Sequence, residues 1–258
     1  MTLVAIDNGH GLNTPGKQTP IFPDGTITKE WEFNYPTAKK LGSLLEAQGI
    51  KVIYVSPTEQ DTLLKHRTDL ANQAKADLFV SIHYNGYRGV WGSHGGIETY
   101  HYPGAEKGYA LATSVQKELI KKTGWRDRGV KTADFHVLRE SKMPAILVEC
   151  GFMDNPEEAA LMVEESHQNR CAEAIYQGIL SYLGIPLKEA SPSTGEGENP
   201  SWAVKQGLEH LNSLMEKGLI LEAHYWKEKL LEPMPAWAVF SLIDRITERS
   251  VDNGPTVD

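Results

Sequence analysis

Three apolar, β-branched stretches that each run into a polar residue constrain the fold of this chain more than any other feature. They are residues 4–6 before His10, residues 78–82 before His83 and residues 144–148 before Glu149. Such stretches are typical of buried strands, and the segments between them have helical periodicity. Strands that alternate with helices predict an α/β fold with a mixed, mostly parallel sheet and helices on both faces.

The polar residues at the ends of these stretches are expected to meet. Parallel strands align their carboxyl ends, and ligands of such sheets bind in a crevice outside those ends. His10 follows the first stretch after a short loop, and His83 and Glu149 close the second and third. The sequence therefore predicts that these three side chains converge on one crevice.

Two histidines and a carboxylate form a suitable set of protein ligands for catalytic zinc. Glu30 is the candidate carboxylate, because it lies between the loop of residues 24–29 and a segment with helical periodicity. Glu32, two residues further on, is the competing ligand. Zinc would activate a water molecule and polarise a carbonyl, while Glu149 could transfer the proton to a departing amine. The combination indicates metal-assisted amide hydrolysis.

Each of these residues also has an ordinary structural interpretation. A histidine after a strand is usually a loop residue with routine hydrogen bonds. An acid near a helix start usually serves the helix dipole, which applies to Glu30 and Glu32 alike. Glu149 could belong to a buried ion pair, since a carboxylate in so apolar a strand is costly to bury without a partner. The metal interpretation depends on the residues acting as a set.

The motifs that carry these residues resemble those of a known family. They are Ile6–Gly11, Lys29–Asn34, Arg67 with Ala71–Asn72 and Ala76–Asp77, Ser81–Asn85, Gly96–Glu98, Arg128–Lys131 and Val148–Asn155. Over residues 2–184 the chain resembles the zinc-dependent N-acetylmuramoyl-L-alanine amidases of type 3, which include bacterial autolysins and phage endolysins. The resemblance implies that His10, Glu30 and His83 bind one zinc ion and that Glu149 is the catalytic glutamate. It also implies peptidoglycan as substrate, cut between N-acetylmuramic acid and L-alanine.

Two residues depart from the family pattern. Asn8 stands where the family more often has proline or alanine, and Pro36 falls where the first helix usually continues. Proline is tolerated in a first helical turn, so regular helix is predicted to begin near Asn34 or Tyr35. Glu30 would then lie on a less regular lead-in, and the choice between Glu30 and Glu32 depends on geometry.

Other residues with reactive or charged side chains are predicted to be structural. His136 is expected to pack beside the cleft, with contact to substrate as the alternative. Arg67 is expected to brace the fold through a buried hydrogen bond rather than act in catalysis. His94 and His101 are expected to be ordinary loop or strand histidines. Cys150 and Cys171 are expected to be small core residues.

A change of composition divides the chain. Residues 188–200 are rich in small, charged and turn-forming residues, which predicts a flexible linker. It separates a catalytic domain, residues 1–187, from residues 201–258, where helical periodicity predicts a small helical domain. A domain this short is marginal alone, so it is expected to pack against the catalytic domain or to self-associate through its helices. Because wall hydrolases often join a catalytic domain to a targeting domain, binding to the cell wall is expected by analogy.

Charge and hydropathy exclude several partners. A net charge of −8 argues against general attraction to nucleic acids and anionic membranes. No stretch is apolar enough for a transmembrane segment, and the N-terminus enters its first strand without the regions of a signal peptide. Synthesis in the cytoplasm is therefore expected, with access to the wall after lysis or through a holin. This route favours a phage or prophage endolysin.

Two other functions fit parts of the sequence. A zinc peptidase that cuts within the stem peptide would use the same site chemistry. A non-catalytic cell-wall binding protein would carry a retired site, but His10, His83 and Glu149 are all present. The retention of the full set favours an enzyme.

Overall fold

The computed structural model describes residues 2–187. The chain divides into two units, Met1–Lys188 and Glu189–Asp258. The predicted linker and helical domain, residues 188–258, lie outside the described residues and stay predictions. Among the described residues, no helix combines the length and apolar character that crossing a membrane requires.

The described residues form six strands and six helices. The strands are β1 (Leu3–Asp7), β2 (Lys51–Tyr54), β3 (Leu78–Asn85), β4 (Ile97–His101), β5 (Asp127–Thr132) and β6 (Ala145–Phe152). The helices are α1 (Trp31–Ala47), α2 (Leu64–Gln73), α3 (Glu106–Thr123), α4 (His136–Arg139), α5 (Pro156–Ala159) and α6 (Glu165–Leu183).

The six strands form one sheet in the order β2-β1-β3-β6-β4-β5. The pairs β1–β2, β1–β3, β3–β6 and β4–β5 are parallel, and only β4–β6 is antiparallel. The prediction of a mixed, mostly parallel sheet is confirmed. The three apolar stretches of the sequence become β1, β3 and β6, which are neighbours at the centre of the sheet.

Side chains that alternate along the central strands form two separate cores, because successive residues of a strand face opposite sides. On one side, Val80, Ile82 and Val148 pack with α1, α3 and α6. On the other, Phe79 and Leu147 pack with α2 and α4. The contact between α3 and α6 is close at Gly178, where an added Cβ would lie 2.5 Å from the backbone Cα of Val115.

The predicted start of the first helix is wrong. Helix α1 begins at Trp31, and the carbonyl of Glu30 already accepts the backbone N–H groups of Phe33 and Asn34, so Pro36 lies inside the helix. A proline has no N–H to donate four residues back, which leaves the carbonyl of Glu32 without its helical partner. The side-chain amide of Gln168 donates to that carbonyl at 3.1 Å. The neighbouring helix thus supplies the missing hydrogen bond.

The central strands also extend further than their apolar stretches. Strand β3 continues past His83 to Asn85, and β6 continues past Glu149 to Phe152. Backbone pairing depends on the neighbouring strands rather than on side-chain polarity, and β6 has a partner on each side. The register between β3 and β6 shifts directly after His83. Irregularities of this kind are common next to active sites because they redirect side chains.

Candidate active site

The structure brings together His10, Glu30 and His83, whose potential ligand atoms all lie within 4.8 Å of one another. His10 lies in the loop after β1, Glu30 directly before α1, and His83 in β3. Glu30 is central: its Oε1 lies 2.9 Å from Nδ1 of His83 and its Oε2 3.5 Å from Nε2 of His10. Two imidazoles and one carboxylate thus face a common point.

Neighbouring residues hold the carboxylate of Glu30 in place. Its Oε1 accepts the backbone N–H of Tyr84 and the side-chain amide of Asn34, both at 3.1 Å. The same Asn34 amide donates to the carbonyl of Gly9, which ties the start of α1 to the loop of His10. Burial favours a higher pKa for Glu30, but the hydrogen bond and charge of His83 lower this pKa to about 2. Glu30 is therefore an anion.

Glu32, the competing ligand in the sequence, points elsewhere. Its Oε2 accepts the backbone N–H of Lys29 at 2.7 Å, at the beginning of α1. Glu32 thus has the role at a helix start that was one interpretation of both Glu30 and Glu32 from the sequence. The structure thus places Glu30, and not Glu32, next to the two histidines.

The loop after β1 brings His10 and His83 very close. His10 adopts a positive φ of 60°, which is uncommon for residues other than glycine. Its ring lies 4.8 Å from that of His83, almost perpendicular to it. Gly9 permits this approach, because a Cβ there would lie 2.3 Å from the imidazole of His83. Burial lowers the pKa of His10 to about 4, which leaves its imidazole neutral and able to bind a metal.

A hydrogen-bonded chain fixes the ring of His83 from behind. Its Nε2 lies 3.1 Å from Oγ of Ser81, and the Ser81 hydroxyl donates to Oδ2 of Asp7 at 2.7 Å. Arg67 then donates to Oδ1 of Asp7 at 2.6 Å. Metal-bound histidines commonly donate their second ring nitrogen to such a partner, which fixes the tautomer. The Nδ1 of His83 is thus the atom available to a ligand.

Two of the atoms that face the common point make no hydrogen bond, which is the main sign of a fit to a cation. Among residues 2–187, the buried side-chain atoms without a hydrogen bond include Nε2 of His10 and Oε2 of Glu30, both in the cluster, and Oε2 of Glu149 beside it. Buried polar atoms without partners are costly, and a divalent cation would satisfy the two in the cluster. Nitrogen and carboxylate oxygen are also the ligands that zinc prefers. These residues can hold a metal ion.

Glu149 lies beside the cluster because of the sheet register. It pairs with His83 across β3 and β6, so both side chains stand on the same face of the sheet. Burial and the negative charge of Glu30 raise the pKa of Glu149 well above its usual value. A carboxyl group that holds a proton readily suits proton transfer near neutral pH.

Glu98 lies on the side of Glu149 that is opposite to His83. In the sequence it was noted only as part of the motif Gly96–Glu98. Glu98 and Glu149 pair across β4 and β6. Glu98 is buried and forms ion pairs with Arg128 and Lys131. It also accepts hydrogen bonds from the amide of Asn85 and the hydroxyl of Tyr100. Burial favours a higher pKa for Glu98, but its contacts with Lys131, Tyr100 and Arg128 lower it. Glu98 therefore lies at the edge of the site with its negative charge balanced by Arg128 and Lys131.

Two cavities meet at the cluster, and Glu149 and Lys17 line both. The larger, about 600 Å³, is partly apolar and is bordered by the exposed side chains of Leu63, Leu64 and Phe135. The smaller, about 220 Å³, lies towards residues 84–89. Lys17 could not be recognised from the sequence, because a lysine in a loop rich in glycine and proline has no distinctive pattern. The arrangement suits a substrate that extends to both sides of the bond that is cut.

The remaining residues singled out in the sequence have the following positions. Arg67 is buried and binds Asp7, Asp61 and the carbonyl of Thr62. His136 lines the larger cavity, with its Nε2 3.3 Å from Oγ1 of Thr68. The others are His94, which pairs with Asp154, His101, which is buried and lies near the carbonyl of Tyr102, and the buried free thiols Cys150 and Cys171. His94 and His101 are thus held by these contacts rather than simply exposed.

This chain is similar in sequence to N-acetylmuramoyl-L-alanine amidases and to a phage endolysin. An N-acetylmuramoyl-L-alanine amidase of Bacillus subtilis, LytC, is 36% identical over 69% of this chain, which spans 35% of that protein. The endolysin of Bacillus phage SPP1 is 36% identical over 75% of this chain and 73% of its own length. A Bacillus licheniformis amidase, CwlM, is 38% identical over 74% of this chain and 72% of its own length.

A solved structure and a family match lead to the same conclusion. The N-acetylmuramoyl-L-alanine amidase of Clostridium difficile 630 is 40% identical, with a TM-score of 0.65 over 71% of this chain and 97% of its own. Residues 4–181 match the Amidase_3 family, described as N-acetylmuramoyl-L-alanine amidase. The resemblance seen in the motifs is confirmed. The chain belongs to the type 3 family of N-acetylmuramoyl-L-alanine amidases.

Proposed function

We propose that this chain hydrolyses the amide bond between N-acetylmuramic acid and L-alanine in peptidoglycan, with one zinc ion held by His10, Glu30 and His83. The observation that carries the proposal is the cluster of three ligand atoms with Glu149 in register beside it. Family membership supplies the substrate, and the unsatisfied atoms of the cluster support the metal.

A zinc ion bound there would act as a Lewis acid that polarises the amide carbonyl and lowers the pKa of water. Glu149 is the residue that moves protons. It takes a proton from the attacking water and delivers it to the nitrogen of the departing alanine, so that the amine leaves in neutral form. The chain of Ser81, Asp7 and Arg67 holds His83 in the orientation that this chemistry needs. The two cavities would receive the muramic acid and the peptide.

The similarity to the SPP1 endolysin also supports a phage or prophage origin, with action on the wall after lysis or release through a holin. A cell-wall binding or self-associating role for residues 201–258 remains part of the proposal. The two parts can be tested apart, since loss of residues 201–258 would affect binding to sacculi rather than the bond that is cut.

The test is a digest of purified sacculi with and without a metal chelator. We expect new N-terminal alanine without new reducing sugars, complete loss of release with the chelator, and recovery when zinc is added. A different new N-terminal residue would identify a peptidase that cuts within the stem peptide. No release from several wall types, combined with binding to them, would identify a non-catalytic wall-binding protein.

Glu30→Gln is expected to weaken zinc binding by at least about 10-fold, because the amide removes the only negative charge in the proposed ligand set. Glu32→Gln is the matched control, with the same chemical change two residues away at the start of α1. Its zinc affinity should stay at the wild-type value. Competition with a chromogenic chelator measures both variants. Equal loss in the two variants would contradict the assignment of Glu30.

A further inference from the structure

Lys17 has an unusual position for a lysine of an acidic chain. Its Nζ lies 4.0 Å from Oε2 of Glu30, at the limit of an ion pair. The backbone carbonyl of Lys17 accepts the N–H of Glu30 at 2.9 Å, so main-chain pairing fixes the two residues side by side. The next residue, Gln18, forms an isolated β-bridge with Lys29. The position of Lys17 thus follows from the fold of its loop and not from a flexible side chain alone.

The ammonium of Lys17 is also available to a ligand. Its side chain is 40% exposed and lines both cavities together with Glu149. Within residues 2–187, the ion pair recorded for Nζ of Lys17 is the long contact of 4.0 Å with Glu30. The other cations near the site differ, because Arg67 binds Asp7 and Asp61, and Arg128 and Lys131 bind Glu98.

Lys17 places a positive charge beside the proposed metal site, because its Nζ lies 4.0 Å from Oε2 of Glu30. A lysine that served only to neutralise Glu30 would have no need to lie at the junction of two cavities. The positive charge of Lys17 would also repel a divalent cation bound by Glu30, which weakens metal binding. This unfavourable contact indicates that Lys17 has another function.

We propose that Lys17 is a further catalytic residue, whose ammonium stabilises the negative charge that develops on the oxygen of the scissile amide. The inference rests on the proposed function. As the oxygen of water adds to the carbonyl carbon, an electron pair of the C=O bond moves onto the carbonyl oxygen. A cation at the junction of the cavities favours that charge without taking part in proton transfer.

The test compares Lys17→Met and Lys17→Arg with the wild type on a soluble muramoyl peptide. We expect Lys17→Met to lower kcat by about 10- to 100-fold with KM little changed, as for loss of one oxyanion contact. Lys17→Arg should retain most of kcat because it keeps the charge. Lys51→Met is the control: it makes the same charge change on an exposed residue at the amino end of β2. Its kinetics should match the wild type.

Zinc affinity, measured by chelator competition on metal-free protein, gives a second readout. Lys17→Met should bind zinc at least as tightly as the wild type, because a repelling charge is removed. Weaker zinc binding would make Lys17 a support of the metal site and overturn the inference. An unchanged kcat, or a rise in KM alone, would overturn it as well. If the wild type itself releases no alanine amine, the proposed function fails and the role of Lys17 fails with it.

Discussion

Glu149→Gln is expected to lower kcat for amide hydrolysis by at least about 10²-fold, the range of a lost general acid–base. The amide has the shape of the carboxyl group but cannot carry the proton from water to the departing amine. Zinc binding should be kept, because Glu149 lies beside the ligand cluster and not in it. The measurements are turnover of a muramoyl peptide and zinc content after dialysis. Loss of zinc would reassign Glu149 as a ligand, and wild-type turnover would require another base.

Arg67→Met is expected to lower the free energy of unfolding by about 3–5 kcal/mol, since it leaves Asp7 buried with its partner charge gone. Asp7 also accepts the hydroxyl of Ser81, so the orientation of His83 should loosen as well. Zinc affinity is therefore expected to fall together with stability. Denaturant unfolding of the metal-free protein measures the first effect and chelator competition the second.

Lys65→Met is the matched control on the same helix, α2. Lys65 pairs with Asp69 at an exposed position, and such pairs contribute only about 0.3–0.5 kcal/mol. A change in Arg67→Met no larger than that of the control would mean that Asp7 finds other donors. The buried guanidinium would then not support the site.

The fold could be predicted because each central strand carries its own signal. The three apolar stretches became β1, β3 and β6, and parallel order brought their polar residues to one edge. The extent of β3 and β6 could not be predicted, because it depends on pairing between residues far apart in sequence. The start of α1 was missed for a similar reason, since Gln168 on α6 supplies the hydrogen bond that Pro36 removes.

The candidate site was predictable in its residue types and less so in its geometry. The motifs singled out His10, His83 and Glu149, but the choice between Glu30 and Glu32 depended on which way each side chain points at the beginning of α1. Lys17 had no sequence signal, because main-chain pairing of residues 17–18 with residues 29–30 brings it beside Glu30. Contacts of this kind depend on loop geometry, which local patterns do not specify.

The pairing of His83 with Glu149 has a practical consequence for altering the protein. These two side chains stand on adjacent strands of a buried sheet. Their spacing is therefore set by the backbone and is insensitive to changes in the surface loops. Connecting segments supply part of the walls of both cavities, such as residues 61–63, 86–87 and 134–135. Surface loops tolerate exchange better than strands. Grafting loops from other wall hydrolases should therefore redirect which peptidoglycan is cut while the bond-breaking residues keep their positions.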